Sequence, residues 1–302
     1  MWFWLSLIAL LCWSGSDLFS KIGCRDPRDK FSPLKMVIAV GVVMGLHAAY
    51  EIFVGGTEIN LSILLTYLPV SLLYIGSMTL GYVGLRYIEL SISSPICNSS
   101  GALVAVMTLI FSGISGYSPL ALVAVALVCA GAIGLGVVDA CEDEDLRAAR
   151  QETSNYKYAK SAMALAMPVA YCLLDAAGTF ADNRVLETLN EDSANVAYEL
   201  TFLLAAVVCF VYVVLIKRTP LIPKLEAPKY IGAVCETAGQ FAYIYAIADT
   251  AHLAMSAPII SSYCAASVLW SRIFLKEKLS WKHYLMILLI IIGIAIMGFF
   301  DM

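Results

Sequence analysis

The chain of 302 residues is 61% hydrophobic and only 14% charged, against about 25% charged residues in a soluble domain. With a mean hydropathy of +0.83, it carries more apolar surface than a water-facing fold can hide, so lipid is its expected solvent. The net charge of −4 says less than where the charges sit, and no nucleic-acid partner is expected.

A helix crosses a bilayer with about 20 mainly apolar residues. That measure gives ten spans, at 2–23, 33–54, 62–87, 93–114, 119–139, 159–182, 194–216, 229–249, 253–275 and 281–300. The first begins "MWFWLSLIALLCW", without the basic start and small-residue end of a cleaved leader, so it is expected to stay as a span. Asp17 interrupts its apolar run, one turn after Trp13. The second span holds His47, read as a packing residue, and Glu51, read as interfacial; the third holds Tyr67, Tyr74 and Tyr82. The fourth carries Pro95 followed by Asn98 and Ser99. A proline frees a backbone carbonyl, so an irregular helix with polar groups toward a cavity is expected.

Gly131 and Gly134 on the fifth span suit close helix contact. The sixth carries Tyr171 and Asp175, and the seventh Glu199, read as interfacial. The eighth carries Glu236, with Gln240 one turn on, then Tyr243 and Tyr245. The ninth repeats the fourth's pattern, with Pro258 before Ser261, Ser262 and Tyr263, and the tenth carries Gly293. Nine cysteines lie mostly in apolar runs without metal spacing, so reduced packing residues are expected, and neither metal nor cofactor.

The chain contains an internal repeat. Aligning 85–139 with 248–301 places Pro95 on Pro258, Ser99 on Ser262, Gly131 on Gly293 and Asp139 on Asp301. Upstream, "WSGSD" and "YCLLD" match Asp17 with Asp175. The expected domains are therefore a first five-helix repeat at 1–139, a cytoplasmic linker at 140–158 and a second repeat at 159–302. Five is odd, so the second copy enters the membrane inverted, the architecture of many secondary transporters. The ending "APIISSYCAASVLWSRIFLKEKLSWKHYLMILLIIIGIAIMGF" resembles that of the EamA-type fold in the drug/metabolite transporter superfamily. The resemblance implies ten spans and the movement of small metabolites, with a wide range of substrates. In place of the turn Glu in "LKEKLS" the first half has "SGISGYS", which argues against a catalytic turn Glu.

Of 19 Lys and Arg residues, 18 flank the odd-numbered loops and only Arg184 lies on the other side. The positive-inside rule then puts those loops in the cytoplasm of a plasma (inner) membrane and both termini outside. The resemblance implies cytoplasmic termini instead; the charge bias is followed here.

Asp17, Asp175 and Glu236 lie well inside spans, at about 2.5–3.5 kcal/mol each on the insertion scale. Such acids face the bundle interior or a wet cavity. There a carboxylate that is alternately protonated and cation-paired can exchange protons for a cation. From the helix directions, Asp17 and Asp175 are expected roughly 12 Å apart along the membrane normal, with Glu236 at the depth of Asp17. The competing readings are an ion pair of Asp17 with Lys21 and a hydrogen bond from Asp175 to a neighbouring Ser or Thr.

The substrate-binding or proton-coupling set is therefore Asp17, Glu236, Asp175, Trp13, Tyr171, Tyr74, Gln240, Tyr243, Asn98, Ser262 and Tyr263. Aromatic faces with carboxylates suit an organic cation. The expected function is a secondary transporter of a small organic cation or zwitterion, working by alternating access with protons as the coupling ion. A lipid or nucleoside/sugar carrier of the same fold and a non-transporting membrane subunit are the alternatives. No enzyme is expected, because no P-loop, H-E-x-x-H or G-x-G-D motif occurs.

Overall fold

The structure, a computed structural model, describes residues 1–24, 26, 29–87, 90–114, 116–141, 162–276 and 279–300. All but the start of the expected linker 140–158, the turn residue Glu277, Asp301 and the loop residues Arg147, Arg150, Lys157 and Lys160 lie outside them. Every regular element described is helical: α1 (Trp2–Cys24), α2 (Ser32–Tyr50), α3 (Leu61–Tyr87), α4 (Leu90–Asn98), α5 (Ser100–Ser112), α6 (Pro119–Ala140), α7 (Ala162–Val185), α8 (Glu191–Phe210), α9 (Pro223–Ala248), α10 (Leu253–Ser261), α11 (Tyr263–Phe274) and α12 (Trp281–Phe300).

Among the described residues, eight segments are long and apolar enough to cross a membrane, with Ser93–Ser112 and Thr250–Phe274 each counted as one rod. Helices α7 and α9 have 24 and 26 residues, the length of a span, and carry Asp175 and Glu236. The N-terminus of α8 is capped by the Asn190 side chain, which accepts from the Asp192 N–H at 2.9 Å, with Glu191 and Asp192 in the first turn; acids there complement the helix dipole. Pro223 opens α9, where its missing N–H costs nothing. Both α2 and α8 end in a wide π turn, Glu51–Gly55 and Val211–Ile216.

The expected irregularity after each proline is present. The α4–α5 rod breaks at Ser99 and the α10–α11 rod at Ser262, each four residues past its proline. At both breaks the serine N–H reaches the proline carbonyl, at 3.1 and 3.0 Å, and the next carbonyl, at 3.3 and 3.1 Å. The turn is thus tighter than an α-helix.

The rods pack in pairs: α1 on α9, α3 on α7, α2 on α8, α5 on α10, and α6 on α12. Glycines let several of these backbones approach. A Cβ at Gly131 would stand 2.8 Å from the Met286 carbonyl, and one at Gly293 would stand 2.8 Å from the Ala124 carbonyl. A Cβ at Gly41 would stand 2.3 Å from the Phe202 carbonyl, across α2 and α8. Two apolar clusters form the interior, and Trp13 packs against both. Outward faces remain apolar, as at Leu11, Ile110, Leu204 and Ile291.

Lys35 and Lys229, read from the sequence as loop-flanking charges, are buried. Lys35 pairs with Asp29 at 2.8 Å and Glu226 at 3.4 Å, and Lys229 pairs with Glu226 at 2.8 Å. Removing one member of a buried ionic cluster strands the others. Glu226→Gln is expected to cost about 3 kcal/mol, read as a lower unfolding temperature in detergent, and adding Lys229→Met should recover part of it.

Glu199 is also not interfacial. It is fully buried on α8, and its carboxylate meets His47 Nδ1 at 2.8 and 3.0 Å and the Asn195 amide at 3.2 Å. His47 is thus one side of a polar contact between α2 and α8. Glu51 stands 3.8 Å from the other ring nitrogen.

Candidate functional site

A central cavity of about 800 Å³, its mouth included, is lined from α1, α3, α4, α7, α8, α9, α10 and α11. Its wall includes Asp17, Asp175 and Glu236 together with Trp13, Tyr74, Tyr171, Tyr263, Gln240 and Asn98. Nine of the eleven residues expected from sequence therefore meet at one space. The described lining holds no Lys, Arg or His.

Each acid is held differently. Asp17 Oδ2 accepts from Ser94 Oγ at 2.6 Å and from Ser267 Oγ at 2.8 Å. Asp175 Oδ2 accepts from Ser100 Oγ at 2.6 Å, the neighbouring-serine contact weighed against a binding role, although the residue also lines the cavity. Ser94 and Ser100 stand on opposite sides of the α4–α5 break, so the broken rod offers one hydroxyl to each aspartate. Ser267 and Ser94 likewise come from the two broken rods, α11 and α4. Proline and the polar residues behind it thus place donors where the acids need them. The Glu236 carboxyl is hydrogen-bonded by Ser16, the neighbour of Asp17, which puts these two acids on the same stretch of the wall.

The aromatic residues are fixed by packing. Trp13 lies 5.0 Å from Tyr243 and 5.8 Å from Tyr263, ring centre to centre, and its indole N–H donates to the Glu236 carbonyl at 3.4 Å. Gly239 lets the indole sit there, since a Cβ at that position would come within 2.4 Å of the ring. Tyr171 lies against Gly81 and Tyr74 against Gly178 in the same way. Large aromatic rings therefore line the same cavity as the carboxylates, a composition that suits a cation.

Two expected residues lie elsewhere. Tyr243 lines a smaller adjoining cavity with Trp13, Tyr74, Asp175 and Thr179. Ser262 is buried, and its hydroxyl is bound at 2.6 Å to the Ile259 carbonyl. Ser261 lines both cavities instead, because the break advances the helix face by one residue.

The sequence reading passed over Asp182, which is buried and bound by Tyr67 and Tyr74. It ended the sixth span at that residue, whereas α7 runs on to Val185. The usable signal was the spacing Asp175, Thr179, Asp182, which places all three on one helix face.

The profile of the EamA-like transporter family matches residues 164–299. The resemblance read in the chain's ending is thereby borne out, and the similarity to that family covers most of the second half of the chain. With its apolar rods, the chain has the make-up of a multi-pass membrane protein. No curated protein matches it. A solved crystal structure of a protein is similar at TM-score 0.62 and 15% identity, over 98% of this chain and 95% of its own; that likeness concerns the fold alone.

Proposed function

We propose that the protein is a secondary transporter of a small organic cation or zwitterion, which it exchanges for protons by alternating access. The observation that carries this is the convergence of three carboxylates from α1, α7 and α9 on one aromatic-walled cavity whose described lining contains no basic residue. An anionic substrate would meet repulsion there, and a cation would find charge and π faces together.

Alternating access needs two comparable halves. In this reading the α4–α5 and α10–α11 rods each count once, giving ten spans in two inverted repeats, 1–139 and 159–302. Exchanging every span for the one five places away maps the observed pairing onto itself: first with eighth becomes sixth with third, and the second–seventh, fourth–ninth and fifth–tenth pairs return unchanged. The reciprocal contacts of Gly131 and Gly293, the two proline breaks and the two π turns support the same symmetry.

The cavity is tested by thermal-shift measurement of the purified protein with amines, amino acids and nucleosides, followed by uptake of the stabilising compound into liposomes. Stabilisation by amines or zwitterions with uptake is expected; stabilisation by phosphorylated anions alone rejects the cation reading. The orientation follows the basic loops, cytoplasmic in the plasma (inner) membrane, with both termini outside. An alkaline phosphatase fused to the C-terminus is expected to be active and a fluorescent protein fused there dark; the opposite pair of results reverses the orientation.

A further inference from the structure

Asp182 is a carboxylate that the substrate cavity does not use. It lies seven residues beyond Asp175 on α7, is fully buried and lines neither cavity. Tyr67 donates to its Oδ1 at 2.8 Å and Tyr74 to its Oδ2 at 3.3 Å. The Tyr74 hydroxyl also shares a hydrogen bond with that of Tyr243, and the two reach the Thr179 hydroxyl at 3.3 and 3.1 Å. Tyr74, Tyr243 and Thr179 line the smaller cavity together with Asp175. Hydroxyl groups therefore link the compartment of Asp175 to Asp182.

Tyr67 and Tyr74 from α3 bond Asp182 and Tyr243 from α9 lies within electrostatic reach of it, while Thr179 and Asp175 share its face of α7. Elsewhere on α7, Phe111 from α5 packs on Phe180 and Ser100 from α5 is engaged with Asp175. Arg184, two residues on, pairs with Glu187 at 2.8 Å and lies over the Phe180 ring. Among the described residues no cation is placed to balance Asp182. A buried carboxylate without a cation is balanced by a proton.

We propose that Asp182 is a proton-binding site separate from the cation site, reached through the hydroxyls of Tyr74 and Tyr243; as the carrier of the coupling proton it rests on the transport reading above. In the relay each tyrosine accepts a proton at Oη as it passes its own on and ends unchanged. The Asp182 carboxylate gains an O–H bond and loses its charge, and release reverses both changes.

Two readouts on the reconstituted full chain test this, one of them independent of substrate. In pH-difference infrared spectra without added ligand, Asp182→Asn is expected to remove one titrating carboxyl C=O band. Tyr67→Phe, which keeps the carboxylate but deletes a donor, is expected to shift that band. In liposomes, Asp182→Asn is expected to lower choline accumulation driven by a pH gradient about tenfold, while choline–choline exchange at equal pH stays within about twofold. An unchanged infrared titration in Asp182→Asn, or full proton-driven accumulation, overturns the proposal. Should Asp182→Asn fail to fold, an unmoved band in Tyr67→Phe overturns it as well. A wild-type protein that moves no amine rejects the cation reading, while the infrared result still decides whether Asp182 binds the proton.

Discussion

Glu236→Gln is expected to weaken binding of choline or another small amine by roughly thirtyfold, about 2 kcal/mol. The substitution preserves shape and hydrogen-bonding capacity but removes one of three charges lining the cavity. Asp17→Asn is expected to act in the same direction, since Asp17 lines the same cavity and adjoins Ser16, which bonds the Glu236 carboxyl. Asp249, which pairs with His252 at 2.8 Å and lines neither cavity, is the control, and Asp249→Asn should leave binding unchanged. Protons compete with a cation for the same carboxylates, so the dissociation constant is expected to rise as pH falls. Linkage limits that rise to about tenfold per pH unit for each proton displaced. Glu236→Gln should flatten the dependence. Calorimetric titration in detergent at several pH values reads both effects, and an amine affinity unmoved by both substitutions would remove the acids from the site.

The second large effect concerns the α6–α12 contact. Gly131→Leu is expected to abolish most of the folded protein recovered in detergent. A Cβ there already stands 2.5 Å from Ile290 Cγ1 and 2.8 Å from the Met286 carbonyl, and the backbone has no rotamer by which to yield. Overpacking of a tight interface costs about 1–3 kcal/mol, and a branched side chain adds to that. For Gly131→Ala the gain in helix propensity, about 1 kcal/mol, offsets part of the clash, so a small net loss is expected. Gly116, whose added Cβ would meet nothing within 4 Å, should tolerate alanine. Size-exclusion profiles and unfolding temperatures of the three variants check the order. A Gly131→Leu protein as stable as wild type would show that the two helices do not depend on this approach.

How far the sequence could be read depended on how each signal arises. Polar atoms are costly in lipid, so Asp17, Asp175 and Glu236 stood out against apolar neighbours, and all three line the central cavity. Pro95 and Pro258 announced the breaks because a missing N–H acts locally. Glycine contacts were legible through the repeat that aligns Gly131 with Gly293. What failed depended on phase or on partners distant in the chain. Whether Ser261 or Ser262 faces the cavity turns on where the tight turn falls, which composition does not reveal. Glu199 resembled an interfacial acid because its partner His47 lies 152 positions away. Lys35 and Lys229 resembled loop-flanking charges because Glu226, which joins them, carries no mark of burial in the sequence. Asp182 lay at the edge of a hydropathy window, and its tyrosine donors sit on helices whose packing only the fold reveals.

The central claim is that these acids line one chamber that the substrate fills. Labelling by a lipid-soluble carbodiimide, which attacks protonated carboxyls in apolar surroundings, tests it directly when peptides are mapped by mass spectrometry with and without saturating choline. Labelling of Glu236, Asp17 and Asp175 that choline suppresses at all three together is expected. Labelling at these positions that choline, amino acids and other amines leave untouched would contradict a shared substrate chamber.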